Sequence, residues 1–184
     1  MLLTEYRLDL VIQALRAALK MEHPADAVLR HFFQEERIGS NERKLVAETL
    51  FGVLRHRLLL EHACRLEAKG QATARRMALA YWVRFGGYNL RELKPLLKAQ
   101  EAQWLSKVKS IAVSTLPLSI QAELPEWIME KLCTHCSDEE ILALGLSMQQ
   151  PAPLDLRVNS LLANRDEVLQ SLQAEGIEAT ATPF

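Results

Sequence analysis

The sequence changes its hydrophobic period near residue 154. Apolar and polar residues alternate over 154–159 and again over 177–184, while 164–176 between them opens with a capping box and ends in glycine. Alternation with a period of two is typical of a half-buried strand, and a capping box marks the start of a helix. One strand–helix–strand unit needs further strands to cover its apolar face. The stretch therefore predicts the beginning of a small α/β subdomain, which we expect to be truncated.

The residues before this stretch follow a helical period. Apolar residues recur at spacings of three and four, and Pro24, Ser40 and a capping box opened by Ser137 stand at helix starts. A linker at 149–153 precedes the final stretch. We therefore predict a mainly α fold, with a helical domain over 1–150 and the start of the α/β subdomain over 151–184. The predicted helices cover 4–20, 24–36, a run from Ser40 to about Lys69, 72–85, 89–98, 100–113 and 137–148, and others open at Pro117 and Pro125.

A bend is predicted within the third helical run. If this helix ran straight on, Arg57 would follow Val46 by eleven residues and point in nearly the same direction, into the core. A charged side chain is unfavourable there, because burying an unpaired charge is costly. We therefore expect a break near Arg55–Arg57.

Charge is divided unevenly along the chain. Residues 1–113 hold 19 basic and 12 acidic residues, a net +7, whereas 114–184 hold 3 and 11, a net −8. A basic first part suits a polyanion partner such as nucleic acid. The alternative is a solvated helix surface that happens to be rich in arginine.

Basic residues are the main candidates for a binding site. Lys44 and Arg55 lie eleven apart on one predicted helix, about 20° apart around its axis, so both could meet phosphates along one groove. Tyr81, Trp82 and Tyr88 offer stacking surfaces, although core packing is the favoured interpretation of these aromatics. The predicted RNA-binding residues are Arg43, Lys44, Arg55, Arg57, Arg75, Arg76 and Arg157.

Motifs for catalysis or metal binding are missing from the sequence. No G-x-G-x-x-G, Walker or G-x-S-x-G pattern occurs, the histidines are scattered, and Gly86-Gly87 follows a helix rather than a strand. Cys133 and Cys136 form a C-x-x-C with only His135 as a further nearby ligand, so packing or surface thiols are favoured over zinc or redox chemistry. Cys64 fits a small core residue. No catalytic, cofactor-binding or metal-binding residue is predicted.

The N-terminus and the apolar runs indicate the compartment. Residues 1–10 lack the basic region and long apolar stretch of a signal peptide, and no apolar run approaches the roughly 20 residues that cross a bilayer. We therefore predict a cytoplasmic protein without membrane partners.

Several segments in order resemble one protein family. Residues 47–57, AETLFGVLRHR, resemble the third-helix segment of the NusB-like domain. Residues 124–132, LPEWIMEKL, resemble the helix that follows this domain in the RsmB/NOP (Fmu/Sun) family. Residues 151–159 and 165–169, with Thr182-Pro183, resemble the next segment of that family. The family consists of S-adenosylmethionine-dependent ribosomal RNA cytosine-5 methyltransferases.

The resemblance implies a NusB-like RNA-binding bundle, an α/β subdomain similar to an RNA-recognition fold, and a Rossmann-like catalytic domain. The family binds its methyl donor at D-x-C-A-G-x-G-G-K-T and carries its two cysteines in P-C-S and T-C-S. None of these motifs occurs here, so the resemblance carries over no catalytic role. We expect this chain alone neither to bind S-adenosylmethionine nor to transfer a methyl group.

The sequence therefore leaves three candidate functions. The first is the substrate-recognition portion of a ribosomal RNA methyltransferase, with RNA as the partner and S-adenosylmethionine as the cofactor of the full-length protein. The second is a stand-alone NusB-like RNA-binding module in transcription or ribosome assembly. The third is a helical protein-interaction domain. Self-association through the unfinished α/β unit is a further expectation, because exposed strand edges favour pairing.

Overall fold

Helices form both compact units of the chain. The computed structural model describes residues 2–67, 70–150, 152 and 154–183, and it divides into Met1–Gln149 and Gln150–Phe184. The five longer helices that begin the first unit are α1 (Glu5–Ala18), α2 (Ala25–Glu35), α3 (Ser40–Arg55), α4 (Arg57–Cys64) and α5 (Ala74–Arg84). It continues with α6 (Leu90–Leu93), α7 (Glu101–Lys109), α8 (Leu118–Gln121), α9 (Glu126–Leu132) and α10 (Asp138–Met148), with 3₁₀ turns at Lys94–Leu96 and Val113–Thr115. The second unit holds α11 (Arg165–Ala174).

The main hydrophobic core lies where α1, α3 and α5 meet, and α5 also packs on α4 and α7. Val11, Leu50 and Leu79 are among its fully buried side chains. Burying such side chains stabilises the fold by about 1.5–3 kcal/mol each. Two buried indoles keep their hydrogen bonds, because Trp82 Nε1 donates to Thr49 Oγ1 at 2.9 Å and Trp104 Nε1 donates to the carbonyl of Ala63 at 2.9 Å. The predicted mainly α, NusB-like bundle is confirmed.

The predicted break falls at His56. Helix α3 ends at Arg55, α4 begins at Arg57, and His56 between them leaves the helical backbone conformation (φ −107°, ψ 33°). The break turns the guanidinium of Arg57 out of the core, so that it remains 41% exposed. The prediction of a bend is confirmed, and its reason is the one given by the sequence.

The first turn of α4 is capped by a residue far along the chain. The Glu123 carboxylate accepts hydrogen bonds from the backbone amides of Leu58 at 2.8 Å and Leu59 at 3.2 Å. Its side chain is only 6% exposed, and its backbone lies in the left-handed region (φ +54°). A carboxylate satisfies amides that a helix start leaves unpaired and favours the positive end of the helix dipole.

A second, small cluster joins the last helices of this unit. Ala122, Leu124, Met129 and Ile141 are buried together. Gly145 of α10 lies so close to Ala122 that an added Cβ would stand 2.3 Å from its carbonyl oxygen. Close packing of α10 against α8 therefore depends on this glycine.

Most of the helix caps predicted from the sequence form in the structure. The capping boxes at Ser137 and Asn164 form as predicted, and a third forms at Asn89. The predicted Ser40 cap is wrong, because Ser40 is the first residue of α3 and Gly39 precedes it without a side-chain hydrogen bond. The predicted end of the fourth helix at Lys69 is wrong, because α4 ends at Cys64 and residues 65–67 are not helical. Lys69 itself lies outside the described residues, as do Pro151 and Pro153 of the predicted linker.

The second unit differs from the predicted strand–helix–strand order. Helix α11 forms, and Gly176 (φ +76°) follows its end as predicted, but 154–159 and 177–183 make no strand. Phe184 lies outside the described residues. Leu154 and Leu156 remain 83% and 69% exposed. An isolated strand leaves its backbone amides and carbonyls without partners, so alternation alone does not produce a ladder. Within the described part of the chain, each helix is too short or too polar to cross a bilayer.

Candidate nucleic-acid interface

Helix α3 carries a line of exposed side chains along its outer face, at spacings of four, three and four residues. We call Lys44, Glu48, Phe51 and Arg55 the α3 stripe. Residues with these spacings are neighbours on a helix surface. The Lys44 and Glu48 side chains are 70% and 63% exposed, with Nζ and Oε1 3.8 Å apart. The ring of Phe51 is 42% exposed.

Arg55 ends the stripe as an exposed cation. Among the described residues, its guanidinium has neither a hydrogen bond nor a salt bridge. Its charge nevertheless acts on two neighbours. Burial lowers the pKa of His56 to about 4, and the Arg55 charge adds to that decrease. Burial raises the pKa of Tyr81, and the Arg55 charge opposes that increase. The cation therefore lies beside two rings with its own charge uncompensated.

An aromatic cluster adjoins Arg55. The rings of His56 and Phe85 are stacked, with centroids 3.8 Å apart and planes 7° apart, and Tyr81 lies 6.0 Å from Phe85. Phe85 remains 38% exposed. Gly52 of α3 permits this arrangement, because a Cβ there would lie 2.2 Å from Tyr81 Cζ. The cluster is thus held in place by the crossing of α3 and α5.

The aromatics singled out by sequence have different positions. Trp82 is buried in the core, and Tyr88 packs beside it with centroids 6.0 Å apart, so core packing is the correct interpretation for these two. Tyr81 is half-buried next to Arg55. Sequence reasoning missed Phe51 and Phe85. The available signal for Phe51 was its place between Lys44 and Arg55 on a polar helix face.

Two of the predicted arginines are engaged inside the bundle. Arg75 donates from Nε and Nη2 to the Glu101 carboxylate, both at 2.9 Å, and it also donates to the carbonyl of Leu96. The hydrogen bond to Glu101 raises the pKa of Arg75. Arg76 pairs with Glu67 at 2.8 Å, and its guanidinium carbon lies 4.2 Å from the centroid of Trp104. RNA binding by these residues stays a prediction, but the geometry gives both a structural role.

The other predicted basic residues have separate surroundings in the structure. Arg43 Nε donates to the carbonyl of Ile38 at 3.2 Å, and its guanidinium lies 5.7 Å from the Phe33 centroid. Arg57 Nε bonds Glu61 Oε1 at 2.6 Å. Arg157 is exposed and belongs to the second unit. Of the predicted set, the structure brings Lys44 and Arg55 into the same stripe.

A basic segment that sequence reasoning overlooked runs from α6 to the end of α7. Both of its carboxylates are already bound: Glu92 closes the Asn89 capping box, and Glu101 holds Arg75 and the Lys98 amide. Arg91 and Lys109 line one shallow hollow. The count of five basic against two acidic residues over 91–109 was the available signal. The exposed cations are Arg91, Lys94, Lys98, Lys107 and Lys109.

The described residues do not fit a methyl donor. Gly86-Gly87 and Gly176 stand after helices, whereas a donor loop needs glycines that follow a strand and open a helix. Cys64 is buried, and burial raises the pKa of its thiol to about 11, opposite to what a nucleophile needs. Within the described part of the chain, no three His, Cys, Asp or Glu side chains are grouped to hold a metal ion.

Comparison with known proteins places this geometry in context. Residues 124–184 match the family model for the ferredoxin-like domain of RsmF/B-like methyltransferases. The chain is also 25% identical to the probable ribosomal RNA small subunit methyltransferase B of Synechocystis sp., over 94% of its own length and 45% of that relative. The chain resembles the N-terminal region of an RsmB-type methyltransferase. The resemblance drawn from the sequence is thereby confirmed.

The matched region crosses the boundary between the two units. It begins before α9 and includes α10, which pack in the first unit, and it continues through α11 in the second. The chain spans less than half the length of the Synechocystis relative. No solved structure matches the chain.

Proposed function

We propose that this chain is the RNA-binding, substrate-recognition portion of a ribosomal RNA cytosine-5 methyltransferase that acts in the cytoplasm. The observation that carries the proposal is Arg55, an exposed cation that has no hydrogen bond or salt bridge among the described residues. Exposed Phe51 lies on the same helix, and exposed Phe85, just after α5, stacks on His56, the residue after Arg55. The likeness to an RsmB-type methyltransferase supports RNA as the polyanion. Its methyl donor, S-adenosylmethionine, would bind a catalytic domain that is not part of this sequence.

The chemistry of the reaction explains why such a portion is useful. Methylation at carbon 5 of cytosine requires a nucleophile to add to the ring, and therefore a target base that is out of its stack. The catalytic pocket contacts little more than that base, whereas a ribosomal RNA contains many cytosines. Contacts to RNA shape and backbone by a separate helical unit supply the missing selection.

Binding of a ribosomal RNA fragment tests the proposal. We expect the chain to bind the RNA with an affinity that falls steeply as salt is added. Basic side chains release counterions from the RNA phosphates on binding, and added salt opposes that release. The double variant Lys44→Ala with Arg55→Ala should weaken binding about tenfold at low salt and flatten the salt dependence by roughly 0.7 in log–log slope per lost phosphate contact. Fluorescence anisotropy over a salt series measures both quantities.

A matched double variant tests whether RNA binding depends on the α3 stripe or only on the net charge of the chain. Arg16→Ala with Lys20→Ala removes the same two charges from exposed positions at the C-terminal end of α1. Equal weakening by both double variants would show that only net charge matters and would remove the α3 stripe from the proposal. An absence of RNA binding by the unaltered chain would favour the helical protein-interaction domain instead.

A further inference from the structure

Two partly exposed aromatic rings lie near Arg55, one on its own helix and one stacked on the next residue. Phe51 lies one helical turn before Arg55 and is 42% exposed, and Phe85 stacks on His56, the residue after Arg55, and is 38% exposed. Exposed phenylalanines are scattered on ordinary surfaces, but here two of them lie near a cation that has no partner in the described part of the chain, which forms a defined arrangement. Such a combination of ring faces and a cation is what single-stranded nucleic acid requires from a protein.

Packing holds the ring of Phe85 and the helix that carries Phe51. Phe85 is fixed by the stacked His56 ring at 3.8 Å and by Tyr81 at 6.0 Å, and Tyr81 is itself lodged against the backbone of Gly52. Phe51 projects from the middle of α3, a helix anchored by buried Leu50 and Val53. Rings with fixed positions lose little conformational entropy when a flat ligand stacks on them.

Charge on the α3 stripe indicates which form of RNA fits. Glu48 stands between Lys44 and Arg55 and is 63% exposed, so the stripe carries only one net positive charge. A duplex presents its phosphates outward and keeps its base faces inside, which makes it a poor ligand for a surface of low net charge. An unpaired nucleotide presents a base face to the rings and a single phosphate to Arg55.

We infer that Phe51, Arg55 and Phe85 hold an unpaired nucleotide, with the base stacked on a phenylalanine ring and its phosphate at Arg55, so that the unit selects single-stranded segments of its RNA. This inference rests on the proposed function and narrows it to one class of RNA. The basic segment 91–109 then serves as a separate contact for the sugar–phosphate backbone.

Substitutions at Phe51 test stacking directly. Phe51→Leu keeps an apolar side chain but removes the ring, and Phe51→Tyr keeps the ring. We expect Phe51→Leu to weaken binding of a fluorescein-labelled single-stranded RNA 12-mer about tenfold, which is within the range for the loss of one base–aromatic stack. Phe51→Tyr should bind this RNA as the unaltered chain does. Trp127→Leu is the matched control, since it removes a ring that is 62% exposed on α9.

A duplex of the same sequence supplies the second arm. The unaltered chain should prefer the single strand, and Phe51→Leu should remove that preference while leaving duplex binding unchanged. Equal binding of Phe51→Leu and the unaltered chain to the single strand would overturn the inference, yet leave the proposed function intact if both bind RNA. Failure to bind either RNA would instead overturn the proposed function.

Phe85→Leu extends the test to the second ring. Because Phe85 also packs on His56, its thermal midpoint is measured alongside the affinity. A variant that melts like the unaltered chain and still loses single-strand binding supports the inference. A variant that melts normally and retains full preference for the single strand excludes Phe85 from the site.

Discussion

Gly52 shows how one missing side chain positions a functional surface. Any Cβ there would stand 2.2 Å from Tyr81 Cζ and 2.3 Å from its hydroxyl oxygen, so the ring could not remain where it supports Phe85. Overpacking in Gly52→Ala should cost about 1–3 kcal/mol, and the better helix propensity of alanine should return about 1 kcal/mol, so we expect a net destabilisation of up to about 2 kcal/mol. Urea denaturation measures the change. A stabilised variant would contradict the close approach.

A double-mutant cycle identifies the cause. Tyr81→Ala removes the ring that the new methyl group would meet, so Gly52→Ala should be harmless or stabilising in that background. The same penalty in both backgrounds would place the strain elsewhere in α3.

His56 and Glu123 are a second case at the residue scale. Their titrations change the free energy of unfolding in opposite directions, so the two effects largely cancel. His56 Nδ1 and Glu123 Oε1 lie 4.0 Å apart. Burial lowers the pKa of His56 from 6.5 to about 4 and raises the pKa of Glu123 from 4.5 to about 7. The amides of Leu58 and Leu59 oppose the latter shift. Between these values the folded pair is mostly neutral on both sides.

The signs of the two contributions are opposite. The folded pKa of His56 is depressed, so its contribution to the free energy of unfolding rises as pH rises from about 4 to 6.5. The folded pKa of Glu123 is raised, so its contribution falls as pH rises from 4.5 to about 7. In the unaltered chain this pair should therefore leave the free energy of unfolding nearly independent of pH between about 4.5 and 6.5.

Single substitutions should expose each slope. Glu123→Gln leaves the histidine contribution, so stability should increase with pH between about 4 and 6.5, at up to about 1 kcal/mol per pH unit. His56→Gln leaves the glutamate contribution, so stability should decrease with pH between 4.5 and about 7. Urea midpoints at several pH values measure the slopes. Parallel slopes in the two variants would refute the assignment.

At the scale of elements, one ion pair ties α5 to α7. Arg75 and Glu101 are 20% and 15% exposed and share two hydrogen bonds of 2.9 Å, so each is costly to leave without the other. We expect Arg75→Ala alone, or Glu101→Ala alone, to destabilise the bundle by about 2–4 kcal/mol, and the double variant to cost less than the sum of the two. Additive losses in urea denaturation would contradict the pairing.

Elements also mark the limit of what the sequence predicts. The break at Arg55–Arg57 follows from a local argument about the direction of Arg57, and the Ser137 and Asn164 capping boxes lie within four residues of sequence. The Glu123 cap on α4 joins atoms 65 positions apart, and the Arg75–Glu101 pair 26 apart. Such pairs have no local pattern, because any acidic residue on a neighbouring helix could serve. Arg75 and Arg76 therefore resembled free cations in the sequence.

For the molecule as a whole, aromatic residues show the reverse of the arginines: side chains expected in the core turn out to be exposed. A phenylalanine in a helix is expected inside, so Phe51 and Phe85 were not predicted to be exposed, whereas Trp82 was correctly expected in the core. The basic segment 91–109 was overlooked because its elements are short and lack a clear period. The mainly α class and the resemblance to an RsmB-type methyltransferase are predictable from patterns in order along the chain. The candidate interface instead depends on which face each helix turns outward.

The cap that Glu123 places on α4 sets a boundary for fragment design. The larger hydrophobic cluster ends at Ile111, so a chain cut before α8 would keep that whole cluster. It would nevertheless leave the amides of Leu58 and Leu59 bare, three and four residues after Arg55. A shortened product of this kind would suit studies of core folding and mislead studies of ligand binding. Expression boundaries therefore belong after Gln149, where the first unit ends.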